Sequence, residues 1–204
     1  MTPLDAFLAH PHIARLARGL AAHPGHIVHP DPGVRNAAIA ATFRMGAAGP
    51  ELLLIRRAEA PHDPWSGHVA CPGGRMEPED ADLAATAIRE TREETGLDLA
   101  RDGRMLGTLD DIYPRTPVLP PILVRPFAAV VAGGAQVTPS QEVAGFGWVP
   151  FAALLDKSHW GTAPITIRTL GVQERPVFRY GEYLVWGMTE FLLRQIVERY
   201  REAE

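Results

Sequence analysis

Three glutamates stand within five residues of the stretch RETREETGL: Glu90, Glu93 and Glu94, led by Arg89 and closed by Gly96 and Leu97. The residues from 81 to 95 read as a helix. At 100° per residue, Leu83, Ala84, Ala87, Ile88 and Thr91 share one arc; Glu90 and Glu94 fall together on its edge, with Glu93 farther round. Helical side chains four apart have Cβ atoms ~5–6 Å from each other, and two unit charges at that distance repel by roughly 3 kcal/mol at an effective dielectric of 20. Gly96 is the residue expected to end the helix, and a helix C-terminus is the wrong end for anions. Two readings account for such crowding. The acids form a solvated face with Arg89 and Arg92 as local partners, or they hold a divalent cation. Mg²⁺ or Mn²⁺ takes carboxylate and carbonyl oxygens, keeps water ligands and bridges to phosphates.

The residues ahead of the helix favour the cation. Gly73 and Gly74 are followed after five residues by Asp80, and after eight more by Arg89-Glu90-x-x-Glu93-Glu94-x-Gly96-Leu97. This arrangement resembles the Nudix box, the loop–helix–loop signature of the Nudix hydrolases. It departs from the box in three places: Asp80 stands for a Glu, eight residues replace seven before Arg89, and Thr91 takes an apolar position. The Asp and the extra residue are similar to the coenzyme A pyrophosphatase branch. So are Gly67 ahead of Cys71-Pro72-Gly73-Gly74, and Trp186-Gly187-Met188-Thr189 leading into the last helix. Asp63, where that branch has Arg, and Cys71, where it has Phe, depart from it. The resemblance runs from about residue 34 to residue 198.

That resemblance implies a metal-dependent diphosphatase with Mg²⁺ or Mn²⁺ as cofactor and a small nucleotide as substrate. Coenzyme A or an acyl derivative would be cut to 3′,5′-ADP and 4′-phosphopantetheine. ADP-ribose, a nucleoside triphosphate, or a non-catalytic nucleotide-sensing module are the alternatives. It further implies Glu90 and Glu94 as core metal ligands, Glu93 as a further ligand through water or a second ion, and the Gly73 carbonyl as another, with Gly74 allowing close approach. Arg89 would fix a neighbouring carboxylate. Glu142, in SQEVAGFGWVPF, matches a loop glutamate that binds metal or activates water, so the catalytic candidates are Glu90, Glu93, Glu94, Glu142 and Arg89. Arg56, Arg57 and Arg75 are candidate phosphate binders. Asp80 reads as a cap for the helix or its loop. Cys71, with no base in its motif, reads as a small packed residue. His62 and His68 around Trp65, and the pair Asp110 and Asp111, are read as structural or surface groups.

The elements that must position these groups follow from periodicity. Residues 3–22 read as one amphipathic helix with Leu4, Phe7, Leu8, Ile13, Leu16 and Leu20 on its apolar side, ended by HPGHIVHPDPG. VRNAAIAATFR and ELLLIRR, joined by MGAAGP, read as a hairpin. Further strands are expected at 105–112, in ILVRPFAAVVA and in VAGFGWVPF, before a final helix with Phe191, Leu192, Ile196 and Val197 inward. Such a mixture predicts an α/β chain of the α+β type, a mixed β-sheet sandwiched between α-helices. It divides into an N-terminal helical extension, 1–33, and a Nudix domain, 34–204.

Composition narrows the class. Of the 204 residues, 46% are hydrophobic and 22% charged, enough for a substantial core. A net charge of −4 argues against nucleic-acid partners. No apolar run reaches the ~18 residues of a membrane span, and the N-terminus lacks a signal-like apolar stretch, so a cytoplasmic location without membrane contact is expected. The single cysteine excludes an internal disulfide. A homodimer is compatible with all of this.

Overall fold

In a computed structural model, residues 2–60, 65–114, 121–167 and 170–203 are described. Two short helices, α1 (Pro3–Leu8) and α2 (Pro11–Ala22), precede the hairpin β1 (Arg35–Gly46) and β2 (Gly49–Arg57). The short strands β3 (Val69–Ala70) and β4 (Gly73–Arg75) lead to α3 (Leu83–Thr95) and α4 (Leu99–Asp102). Then come β5 (Gly103–Thr108), β6 (Ile122–Val131), β7 (Val143–Pro150) and α5 (Phe151–Leu155). The chain closes with β8 (Trp160–Ile167), β9 (Gly171–Tyr180), β10 (Tyr183–Trp186) and α6 (Gly187–Glu202).

β1 is the hub of the seven-stranded main sheet, whose order is β3-β2-β1-β6-β5, with β4 also paired to β1 and β7 to β2. It runs parallel to β6 and antiparallel to β2 and β4, so the expected mixed sheet is present. Strand alternation sorts its side chains into two cores. Ala38, Ala40, Leu53, Ile55 and Ala129 pack with Leu83 and Ala87 of α3. On the opposite face Ala41, Phe43, Leu52, Leu54 and Val130 pack with Ile13 and Leu16 of α2 and Leu192 and Ile196 of α6. The N-terminal helices thus share the core of the main sheet. Gly19 lets α2 lie directly on α6, since a Cβ there would sit 1.8 Å from the Arg199 carbonyl oxygen. No helix among the described residues is long and apolar enough to cross a membrane.

Four expectations are corrected. The helix read over 3–22 is two helices, because Pro11 disfavours helical backbone at His10; His10 instead has ψ 133° and its Nδ1 accepts from the His12 N–H. The strand read to residue 112 ends at Thr108, with Ile112 making a lone bridge to Val124. Phe191, expected inward, is 48% exposed, whereas Leu192, Leu193 and Ile196 are fully buried. The register of α6 on the sheet centres on 192/193/196, leaving Phe191 to one side. Finally, 160–186 carries a separate three-stranded antiparallel sheet, β10-β9-β8, which the sequence reading left without strands.

Candidate active site

α3 owes its length to both ends. The Asp82 carboxylate accepts from the Ala85 N–H at 2.8 Å, and Gly96 takes φ +73°, stopping the helix just past the glutamates. The hairpin-like approach through β4 brings the Gly73-Gly74 pair beneath it. A Cβ on Gly74 would lie 2.4 Å from the Glu90 carboxylate, and one on Gly73 would lie 2.3 Å from the Ala38 carbonyl oxygen. Glycine at both positions is what allows strand, loop and helix to meet this closely.

Glu94 is almost fully buried, only 2% exposed. One carboxylate oxygen accepts from the Gly73 N–H at 2.9 Å, and Arg57 Nη1 lies 3.4 Å from the other. Burial pushes its pKa up to about 7, outweighing the Gly73 bond and the Arg57 charge, while Glu90 and Glu142 add repulsion. Burial likewise raises Glu90, against the opposing pull of Arg89, with Glu93 and Glu142 raising it further. Both acids line one cleft of about 1320 Å³, together with Gly73, Gly74 and Glu142.

Arg89 organises the edge of this cluster. Its Nε and Nη2 donate to the two oxygens of Asp80, each at 2.9 Å. Nη1 donates to Glu90 at 3.0 Å and Glu93 at 2.9 Å, and Nη2 also reaches the Arg75 carbonyl at 2.8 Å. Asp80 additionally accepts from the Glu77 N–H and the Thr86 hydroxyl. The Arg89 bonds hold the Asp80 carboxyl far below the usual carboxylate range. Asp80 therefore ties the loop to Arg89, and the helix cap proper is Asp82.

The remaining candidates divide clearly. Glu142 lies in the turn before β7, where its carbonyl accepts from Ala58 N at 2.7 Å, beside the end of β2. Arg57 and Arg75 line the cleft. Arg56 does not; its guanidinium meets Glu182 at 3.0 Å, because alternation on β2 sends it to the other side from Arg57. Glu93 also stays out of the cleft lining, with its side chain 52% exposed and bonded to Arg89. Asp111 is clasped by both ends of the Arg125 fork at 2.8 Å and takes the Val28 N–H; Asp110 takes the His26 N–H and Arg199. Both acids thus anchor the segment after α2. Cys71 is buried with its thiol pushed up to about 12, which removes it as a nucleophile. His68 lines the cleft with its ring 4.6 Å from that of Trp186. His62 and Asp63 lie outside the described residues.

A divalent ion fits this chemistry. Glu90 and Glu94 are both held in surroundings that disfavour their negative charge, a cost that a cation between them would offset. Among the described residues no three His, Cys, Asp or Glu side chains converge into a closed metal cage. An ion here would rely on the two glutamates, backbone oxygen such as that of Gly73, water and substrate phosphate, the ligand set Mg²⁺ accepts. The sequence reading missed Leu170 and Arg175, which join Trp186 of β10 and Met188 and Phe191 of α6 in lining the cleft. Pro176 and exposed Glu174 blurred the alternation that could have revealed β9.

Comparison with known proteins agrees with this architecture. Residues 34–169 match the family model described as the NUDIX domain. The human mitochondrial coenzyme A diphosphatase NUDT8 is 32% identical over 147 residues, 69% of this chain but only 58% of that protein. An uncharacterized Nudix hydrolase, NudL, from Photorhabdus laumondii is 31% identical over 152 residues, 74% of this chain and 77% of its own. The crystal structure of a MutT/nudix family protein from Enterococcus faecalis covers 97% of this chain and 73% of its own with a TM-score of 0.57 at 13% identity. That of a NUDIX hydrolase from Alicyclobacillus acidocaldarius covers 84% and 93% with a TM-score of 0.55 at 22% identity. These two share the fold.

Proposed function

The chain belongs to the Nudix family, and from that premise we propose that it is a divalent-metal-dependent diphosphatase acting on coenzyme A or an acyl derivative, releasing 3′,5′-ADP and the 4′-phosphopantetheine moiety. The observation that carries this reading is the composition of the large cleft. Paired glutamates stand on α3, Arg57 and Arg75 supply phosphate-binding charge, and Trp65, Ile122, Val124 and Met188 line it with apolar surface. At about 1320 Å³ it has room for an extended substrate with both a nucleotide and an apolar arm. Similarity to a coenzyme A diphosphatase supports the same choice.

Glu90 and Glu94 would hold Mg²⁺ or Mn²⁺, which when bound neutralises diphosphate oxygens and acidifies water. Gly73 N–H fixes the Glu94 rotamer, and Arg89 fixes that of Glu90, so the ligands need little rearrangement. Arg57 and Arg75 orient the diphosphate for in-line attack, in which a water oxygen bonds to phosphorus and the opposite bridging P–O bond breaks. Glu142, facing the same cleft, takes the proton of that water.

Glu142→Gln is expected to lower kcat by about 10²-fold, near the low end for a positioned base, with KM little changed. A rise in KM with kcat intact would assign Glu142 to binding instead. The substrate is tested by mass spectrometry of products from coenzyme A, ADP-ribose, NADH and nucleoside triphosphates. Formation of 3′,5′-ADP at the highest kcat/KM is expected from coenzyme A. Efficient ADP-ribose cleavage without coenzyme A turnover would overturn the substrate, and ligand binding with no turnover at any Mg²⁺ or Mn²⁺ concentration would make the protein a sensor.

A further inference from the structure

Beyond the residues matched by the family model, β9 contributes Arg175 to the lining of the cleft that holds Glu90 and Glu94. Arg175 sits opposite Ala163 in the β8–β9 ladder, two residues from Val177, so alternation puts it on the same face of the small sheet as Val177. That face is apolar: Ala163, Ile165 and Val177 are buried there, with Ile167, Leu184 and Trp186 packed around them. Arg175 lines the cleft alongside Ile167, Leu170 and Trp186. Its Nε is buried and has no hydrogen-bond partner, and no carboxylate pairs with its guanidinium among the described residues.

Arg57 shares a buried Nε of this kind, but several other arginines of this region, Arg57 included, have a carboxylate beside the guanidinium. Arg57 lies beside Glu94, Arg56 meets Glu182 and Arg125 clasps Asp111. A guanidinium remains charged at any physiological pH, and a buried N–H without an acceptor carries its full desolvation cost. An arrangement like this on a sheet's apolar face is unfavourable in the free protein and becomes favourable when an anion arrives. Guanidinium geometry matches phosphate oxygens two at a time. The scissile diphosphate already has its place beside the α3 glutamates, Arg57 and Arg75. With the diphosphate held there, an anion at Arg175 would be a different group of the same substrate.

We propose that Arg175 anchors a phosphate monoester that the substrate carries in addition to its scissile diphosphate, the group that distinguishes coenzyme A from its 3′-dephospho form. Naming that group rests on the coenzyme A reading above. The small sheet would then read the nucleotide end of the substrate, and Arg175 would contribute specificity while the α3 cluster contributes the chemistry.

The test measures binding of 3′,5′-ADP and 5′-AMP by calorimetry, to the wild-type protein and to Arg175→Ala, in Mg²⁺ buffer. The two ligands differ only in the phosphate at issue. Wild type is expected to prefer 3′,5′-ADP by about 10- to 150-fold, the range for one charge-assisted bond. Arg175→Ala should lose that preference and keep its affinity for 5′-AMP; Arg175→Gln, which retains the side-chain stem, should do the same and serves if the alanine variant folds poorly. Equal weakening toward both ligands, an undiminished preference in the variants, or no preference in wild type would each overturn the proposal. The two readings fail separately. Wild type that leaves coenzyme A intact yet shows an Arg175-dependent preference would sink the substrate assignment and keep the anchor. Coenzyme A turnover with unchanged kcat/KM in Arg175→Ala would sink the anchor and keep the substrate.

Discussion

Glu94→Gln is expected to lower turnover by about 10²- to 10³-fold while raising the stability of the metal-free protein at pH 8. The first effect follows from loss of one strong electrostatic stabiliser of the reacting phosphate. The second comes from burial. In the fold the Glu94 carboxyl has its pKa pushed up to about 7 from its ordinary value of 4.5, so between those values the folded chain binds a proton that the unfolded chain has released. Stability contributed by Glu94 is therefore fully present below about pH 4.5, falls as pH rises toward 7, and is lost above it. The upper limit of that loss is of order 3 kcal/mol. Glutamine is neutral throughout and can still accept from the Gly73 N–H, so its variant should lack this pH dependence. Mg²⁺ or Mn²⁺ should stabilise wild type by roughly 2.7 kcal/mol at a hundredfold excess over Kd, and should raise its Tm more at pH 8 than at pH 5.5. Thermal unfolding in EDTA and in metal, at both pH values, checks all of this. Equal Tm in EDTA and saturating metal, or near-normal turnover in the variant, would remove Glu94 from the metal site.

Arg89→Ala is expected to destabilise the protein by about 3–5 kcal/mol, the usual cost of removing one partner from a buried ion pair. Arg89 is the shared donor to Asp80, Glu90, Glu93 and the Arg75 carbonyl, and the Asp80 side chain left behind is only 5% exposed. Arg89→Lys should recover only part of the loss, since a single ammonium cannot span the directions that a planar fork serves. Asp80→Asn added to Arg89→Ala should restore stability, because it removes the stranded charge; that sign of coupling is the specific signature of this geometry. Urea unfolding of wild type, the two Arg89 variants, Asp80→Asn and the double variant gives the values. A loss below about 1 kcal/mol for Arg89→Ala would mean that solvent already satisfies the cluster.

Both results depend on features that differ in how legible they were in the chain. The adjacency of Glu90 and Glu94, the helix stop at Gly96 and the hairpin of β1 and β2 could be read directly, because each depends on residues only a few positions apart. The spacing of Gly73, Gly74, Asp80 and Arg89 likewise carried the family, and the mixture of strand-like and helical runs predicted the mixed sheet. Tertiary structure decided which of these groups face the reaction. Periodicity placed Glu94 at the core's edge; it is buried because the Gly73 strand closes over it from a distant part of the chain. Arg56 and Arg57 are indistinguishable as neighbours in sequence, and only the pairing of β2 with β7 and β3 determines which one meets the cleft. Phe191 looked inward because an apolar side chain on an amphipathic helix does so by default; the cleft beside α6 supplied another destination. The small sheet, with Arg175 on its apolar face, was hidden for the same reason. Its burial is divided, with Ala163, Ile165 and Val177 packing among themselves while Phe178 and Val185 join the main core, so the local pattern is weak and the strand positions follow from contacts between segments far apart in the chain.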